Sequence, residues 1–115
     1  MARFAAELTY HKLPSDVVHE ARRYLLDSIG CALGGYQQHD VKLALEVFGE
    51  TAGKGKATVF GSGKTIDPIT ASLLNALMVR VMDYNDIYWK QDPSHPSDLI
   101  PAALALGEKR RKSGK

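Results

Sequence analysis

The sequence lacks the features that mark several large classes of protein. It contains a single cysteine, Cys31, so an internal disulfide and a cysteine-based zinc site are both excluded. No apolar run approaches the roughly 20 residues that a membrane-spanning helix needs. The first residues, MARFAAELTYHKLP, have no apolar stretch typical of a secretory signal peptide. We therefore expect a cytoplasmic protein that does not interact with membranes, in which Cys31 is a small buried apolar residue.

The charge is nearly balanced, with 15 Lys and Arg against 13 Asp and Glu. Five of the 15 basic residues lie in the last seven positions, KRRKSGK, and the rest of the chain is slightly acidic. A nucleic-acid-binding domain normally carries a basic patch or stripe on its folded surface. We therefore expect no nucleic acid partner, and we interpret the basic tail as a solvated helix end.

The length of 115 residues, of which 44% are hydrophobic, suits one small domain with a modest core. Helix-starting prolines and apolar residues at helical spacing predict an all-α fold, a helical bundle. The predicted helices cover residues 2–8, 14–36, 39–53, 67–84 and 97–112. A short apolar run at residues 57–60 is either a strand or an extended connector.

Two predicted helices have patterns that indicate how they pack. The helix from Pro14 has a stripe that we expect to be buried, formed by Val17, Ala21, Tyr24, Leu25, Ser28 and Ala32. The helix after the capping Asp67 is apolar on nearly every side, which is typical of a helix inside a bundle. Its apolar residues are Ile69, Leu73, Leu74, Leu77, Met78, Val81 and Met82.

Two stretches resemble ligand-binding loops but fail the pattern. The sequence GSGKT at residues 61–65 suggests a phosphate-binding loop, but such a loop needs glycine where Thr58 stands. We therefore interpret it as a glycine-rich turn. The acidic stretch from Asp83 lacks the glycine and the glutamate of a calcium-binding EF-hand, since Tyr88 and Ser94 occupy those positions.

The candidate site is the stretch MDYNDIYWKQDPSHPSD, residues 82–98, which follows the apolar helix. A rigid helix that ends at Asp83 would present the following residues to a cleft, where Asp83 or Asp86 could approach His95. Histidine titrates near neutral pH and can transfer protons, and a neighbouring carboxylate fixes its tautomer. Two alternatives stay open: a metal site formed by these three residues, and a structural role with no chemistry.

Other residues of the same region fit a site for an anionic substrate. Arg80 and Lys90 offer positive charge that suits carboxylates. We expect three aromatic side chains to exclude water from the site and so strengthen its electrostatic interactions. These are Tyr84, Tyr88 and Trp89.

The segment RVMDYNDIYWKQDPSHPSD resembles the D-[FY]-[ND]-D…HPS segment of the MmgE/PrpD family of lyases and epimerases. The resemblance extends in order over ARRYLLDSIGCALGGY, KATVFGSGKTIDPITASLLNALMVRVMDYND and HPSDLIPAALALGE, which together span almost the whole chain. It implies part of a large helical domain, with a smaller lid domain, no metal or organic cofactor, and a homodimer.

Matching positions within this resemblance imply that Asp83 and His95 are catalytic or contact the substrate, a tricarboxylate, and that Asn85, Asp86 and Lys90 also contact it. Arg80 is a further candidate for substrate binding, because its positive charge suits a carboxylate. The long loop between Asp83 and His95 is similar to the 2-methylcitrate dehydratase branch, a hydro-lyase, whereas the cis-aconitate decarboxylase branch has a shorter one. Ile87 stands where the dehydratase branch usually has threonine.

Members of the family are several times longer than this chain. We therefore expect residues 1–115 to be a single partial helical domain, an N-terminal fragment without the lid and with little activity alone. The alternatives are another activity of the family, such as decarboxylation or epimerisation, and a non-catalytic helical interaction module.

Overall fold

A computed structural model of the chain describes residues 2–114, which form a mostly helical domain with one very small sheet. The all-α prediction is confirmed. Five α-helices are present in the described residues: α1 (Ala2–Glu7), α2 (Ser15–Gly35), α3 (His39–Thr51), α4 (Pro68–Arg80) and α5 (Ile100–Lys109). Two 3-10 helices lie at Tyr10–Lys12 and Pro96–Leu99, and the strands are β1 (Ala57–Thr58) and β2 (Thr65–Ile66).

Helix α4 lies at the centre of the domain and contacts α2, α3 and α5. It begins as the sequence predicts, because the Asp67 side chain accepts hydrogen bonds from the backbone N–H groups of Ile69 and Thr70. Its buried residues form the middle of the core, with Val41 of α3 and Ala105 of α5 packed around them. The α4 members of this cluster are Ala71, Leu74, Met78 and Val79.

Small residues of α2 bring its backbone close to α4. Ser28, Ala32 and Gly35 are buried at this contact, and a Cβ at Gly35 would collide with the main-chain carbonyl of Met78. Cys31 is also buried, as predicted, and its thiol is free. The close contact fixes the end of α2 against the last turns of α4, immediately before the candidate site.

The two strands form an antiparallel hairpin. The first four residues of GSGKT lie in the turn, and Thr65 is the first residue of β2. Gly61 and Gly63 have φ values of +73° and +67°, which glycine adopts without strain. The turn interpretation of GSGKT is therefore confirmed. Asn75 of α4 is buried and holds the hairpin: its Oδ1 accepts from the Phe60 N–H at 2.9 Å, and its Nδ2 donates to the Thr58 carbonyl at 2.8 Å.

Two packing predictions were only partly correct. In the α2 stripe, Ser28 and Ala32 are buried, but Val17 is 46% exposed and Ala21 is exposed as well, because the first half of α2 extends beyond the core. Helix α4 is not covered on every side either, since Ile69 is 82% and Leu73 49% exposed. No helix within residues 2–114 is both long and apolar enough to cross a membrane.

Candidate active site

The candidate site begins where α4 ends, with a sharp change of chain direction at Asp83. Asp83 has φ +50°, in the left-handed region that aspartate tolerates better than most residues. Its backbone N–H donates to the Arg80 carbonyl at 2.8 Å, which closes the helix end. The Asp83 side chain is 81% exposed and points away from the core. The turn therefore presents a carboxylate to the outside of the domain.

Arg80, the last residue of α4, holds the segment that follows. Its Nη1 lies 3.2 Å from Asp83 Oδ1 and donates to Asn85 Oδ1 at 2.9 Å. Its Nε lies 3.8 Å from Asp98 Oδ1. Two carboxylates and an amide of the chain therefore face this guanidinium. Half-exposed ion pairs of this kind contribute at most about 1 kcal/mol each to stability.

Asn85 connects Arg80 to the start of the second 3-10 helix. While its Oδ1 accepts from Arg80, its Nδ2 donates to the Ser97 hydroxyl at 2.7 Å. Ser97 is fully buried, and its backbone N–H donates to Asp86 Oδ1 at 3.2 Å. The polar groups of Asn85 are thus engaged by protein atoms. Asp98 and Ser97 were missed by the sequence reasoning, although a Pro-Ser-Asp stretch at a helix start is a typical place for such contacts.

His95 is half-buried, and its ring contacts Asp86 through the main chain. The Nδ1 of His95 lies 2.6 Å from the main-chain carbonyl oxygen of Asp86. The sequence predicted that a carboxylate would fix the tautomer, so the partner group differs from the prediction. Within residues 2–114, Nε2 of His95 has no hydrogen-bond partner.

The loop between Asp86 and His95 is closed by two backbone hydrogen bonds. Tyr88 N–H donates to the Ser94 carbonyl at 2.8 Å, and Ser94 N–H donates to the Tyr88 carbonyl at 3.0 Å. The tip, residues 89–93, is exposed and includes Lys90. Trp89 is 74% exposed and Tyr84 82% exposed, so the expected exclusion of water by the aromatic residues does not occur in this chain by itself.

Five of the six candidate residues belong to one continuous chain of contacts. Its order is Asp83, Arg80, Asn85, Ser97, Asp86 and His95. Only Lys90 lies outside it, on the exposed loop tip. We call this chain of contacts the polar network. It connects the two predicted catalytic residues, with Asp83 at one end and His95 at the other.

The polar network runs from an exposed end to a partly buried one: Asp83 is exposed, His95 is half-buried and Ser97 is buried. Five cavities of the described residues, including those around Tyr10 and His19, are lined by residues outside the network. The described residues also contain no group of three or more His, Cys, Asp or Glu side chains placed to hold a metal ion. The alternative of a metal site at Asp83, Asp86 and His95 therefore has no support from the geometry.

The buried thiol of Cys31, in α2, has a pKa that is affected by a carboxylate of the site. Burial raises the pKa of the Cys31 thiol, and the nearby carboxylates of Asp27 and Asp86 raise it further. The thiol is therefore protonated at neutral pH and is a poor nucleophile.

The chain is similar to known proteins along its whole length. The family model for the MmgE/PrpD N-terminal domain matches residues 1–115. A 2-methylcitrate dehydratase of Yarrowia lipolytica is 32% identical over 108 residues, 91% of this chain and 21% of that protein. A cis-aconitate decarboxylase of Aspergillus terreus is 26% identical over 116 residues, 100% of this chain and 24% of that protein.

A 2-methylcitrate dehydratase of Escherichia coli is 28% identical over 100 residues, 85% of this chain and 21% of that protein. The chain thus spans less than a quarter of the length of these relatives. No solved structure matches it significantly. Because the family model covers every residue of the sequence, the chain belongs to the MmgE/PrpD family.

Proposed function

We propose that this chain is the N-terminal portion of a hydro-lyase of the 2-methylcitrate dehydratase type, which removes water from a tricarboxylate to give 2-methylaconitate. The observation that carries the proposal is the polar network, which links Asp83 and His95 through Arg80, Asn85, Ser97 and Asp86. Relatives named 2-methylcitrate dehydratase support the substrate class.

The reaction needs a base and an acid on the same substrate. The base removes a proton from a carbon next to a carboxylate, the electron pair of that C–H bond forms the C=C bond, and the hydroxyl leaves as water after an acid protonates it. His95 is suited to be the base, since Nε2 is unpartnered within residues 2–114. Asp83 has no hydrogen bond to His95, so it does not orient the histidine ring. In this proposal it acts on the substrate together with His95.

The substrate is trianionic and needs cations to hold it. Arg80 already faces two carboxylates of the chain, Asp83 and Asp98. Lys90 is exposed and forms no ion pair with any residue of the described range, so it is the freer cation of the two. Asp83 and Lys90 are exposed in this chain, and we propose that further polypeptide supplies the remaining cations and covers them.

A fusion protein tests the proposal. Residues 1–115 replace the matched region of the Yarrowia enzyme, and water elimination from 2-methylcitrate is followed by the ultraviolet absorbance of the new conjugated double bond. We expect turnover by the fusion and none by the isolated chain, with the unmodified Yarrowia enzyme as the positive control. A fusion that folds and binds 2-methylcitrate but does not convert it would overturn the proposal.

Two other functions have specific observations in their favour. The match to a cis-aconitate decarboxylase favours loss of carbon dioxide from cis-aconitate, which the same fusion tests by carbon dioxide release. A non-catalytic interaction module is favoured by Ile87, which puts no hydroxyl in the site, and by large exposed apolar side chains such as Leu26 and Leu99. Stable binding of a second polypeptide without turnover of either substrate would support this second alternative.

The same exposed side chains bear on assembly. Leu26, Ile69 and Leu99 are between 74% and 82% exposed, which is unusual for large apolar residues of an isolated domain. We propose that they are covered in a longer polypeptide or a homodimer. Analytical ultracentrifugation of the chain and of the active fusion separates these two arrangements, because a dimer doubles the sedimenting mass.

A further inference from the structure

Asp86 contacts both ends of the short segment that carries His95. Its main-chain carbonyl oxygen lies 2.6 Å from His95 Nδ1, and its side-chain Oδ1 accepts the Ser97 N–H at 3.2 Å. These two contacts use different parts of one residue. They fix the histidine ring and the backbone two positions after it relative to the same Cα.

The first contact determines where the proton of neutral His95 sits. A main-chain carbonyl oxygen can only accept a hydrogen bond, so Nδ1 must carry the proton. The other nitrogen, Nε2, is then unprotonated and presents a lone pair. The hydrogen bond that one ring nitrogen of a histidine makes determines which of the two nitrogens carries the proton. Without such a bond, both tautomers are populated.

The second contact keeps the first one in place. Ser97 is fully buried, and its hydroxyl accepts from Asn85, so the N–H that Asp86 holds belongs to a fixed residue. Tyr88 and Ser94 close the loop between Asp86 and His95 with two further backbone bonds. If residue 86 had no carboxylate, its side chain would lose its hydrogen bond to the 3-10 helix Pro96–Leu99, which directly follows His95.

The other oxygen of the same carboxylate contributes nothing to this attachment. Oδ2 of Asp86 is buried and has no hydrogen-bond partner among the described residues. A buried acceptor without a partner opposes folding. Stability alone therefore does not explain a carboxylate at this position. Its Oδ1 contact with the Ser97 N–H offers another reason.

We infer that Asp86 is a positioning residue, which holds His95 in the tautomer with the proton on Nδ1 and so keeps Nε2 ready to accept a proton. This inference rests on the proposed function, because an unprotonated Nε2 matters only if His95 acts as a base. It assigns Asp86 a role through His95 instead of a contact with substrate.

Two variants of nearly equal volume separate the hydrogen bond from the charge. Asp86→Asn keeps an acceptor oxygen for the Ser97 N–H, whereas Asp86→Leu removes the acceptor, and both remove the negative charge. Asp92→Asn, in the exposed tip of the same loop, is the matched control. Asp86→Ala is a second variant without the acceptor, used on the same criterion if Asp86→Leu does not fold.

The measurement is the ¹⁵N chemical shift of the imidazole nitrogens in the 115-residue chain, at a pH where the histidines are neutral. We expect His95 to show a protonated Nδ1 and an unprotonated Nε2 in the wild type, in Asp86→Asn and in Asp92→Asn. In Asp86→Leu both nitrogens should shift toward the averaged values of the exposed His39, which serves as an internal reference. In the active fusion, Asp86→Leu should lower kcat up to about 100-fold with little change in KM.

The outcomes distinguish this inference from the proposed function. A wild-type His95 protonated on Nε2, or with averaged shifts, overturns the inference whatever the variants do. Unchanged His95 shifts in a folded Asp86→Leu protein also overturn it, because the carbonyl would then suffice. A fusion without turnover, together with the expected shifts, contradicts the proposed function and leaves the positioning of His95 by Asp86 established.

Discussion

The side-chain amide of Asn85 lies between Arg80 and Ser97, accepting from the guanidinium at 2.9 Å and donating to the hydroxyl at 2.7 Å. It is the central link of the polar network, because Asp83 lies on the Arg80 side and His95 on the Ser97 side. The end of α4 and the start of the following 3-10 helix are thus connected by one side chain.

Replacing Asn85 tests this connection. Asn85→Ala removes both hydrogen bonds and should lower the free energy of unfolding by about 1–2 kcal/mol, as measured by chemical denaturation. Asn85→Asp is the matched control: its carboxylate still accepts from Arg80, and the Ser97 hydroxyl can rotate to donate to it, so we expect a much smaller loss. Equal stability of Asn85→Ala and the wild type would show that the link is not formed in solution.

Two glycines of α2 should respond in opposite directions to the same substitution. Gly35→Ala places a methyl group against the Met78 carbonyl and should destabilise the chain by about 1–3 kcal/mol or more. Gly30 has open space around it, so Gly30→Ala should stabilise the helix by about 0.5–1 kcal/mol. Thermal unfolding of both variants provides the measurement, and a neutral Gly35→Ala variant would contradict the close contact of α2 with α4.

Asn75 should be the most sensitive polar residue of the core. Its two hydrogen bonds satisfy the Phe60 N–H and the Thr58 carbonyl, and Asn75→Ala leaves both groups without a partner. We expect a loss of about 2–4 kcal/mol in the free energy of unfolding. Ser72→Ala on the same helix is the control, since that hydroxyl only donates to the Pro68 carbonyl of its own helix. Similar losses in the two variants would refute the role of Asn75.

The cap of α4 should make stability depend on pH. Hydrogen bonds from the Thr70, Ile69 and Gly53 backbones hold the pKa of Asp67 below its ordinary value of 3.8. A lowered folded-state pKa favours the native state above the unfolded pKa, and this contribution is lost as pH falls through the folded pKa.

Asp67→Asn, which keeps an acceptor for the cap, is the reference for this prediction. The difference in unfolding midpoint between the wild type and Asp67→Asn should be largest near neutral pH and should shrink as the solution is acidified below the ordinary pKa. A difference that stays constant over this range, or grows on acidification, would show that ionised Asp67 does not stabilise the helix.

The parts of the fold that depend on residues adjacent in the sequence were predictable. Asp67 followed by Pro68 is a local signal for a helix start, and the structure has the helix there. The partner strand β2 was not predicted, because two-residue strands carry almost no periodicity. The role of Asn75 was also missed, since it depends on a contact with Thr58 that only the folded chain creates.

The candidate site was likewise predictable only in the features that depend on residues close in the sequence. Its residues are close in the sequence, so their grouping after α4 was predictable. Which atom faces His95 was not, because it depends on the path that the backbone takes after Asp83 adopts a positive φ. The partner is consequently the Asp86 carbonyl instead of a carboxylate. The roles of Asp83 and His95 in catalysis stay predictions.

Turnover of 2-methylcitrate by the fusion protein with His95→Gln is the sharpest test of the proposed role of His95. We expect this variant to lose at least about 100-fold in kcat, whereas His39→Gln, at the exposed start of α3, keeps the activity of the parent fusion. A His95→Gln fusion that turns over as fast as the His39→Gln fusion would show that His95 is not the catalytic base.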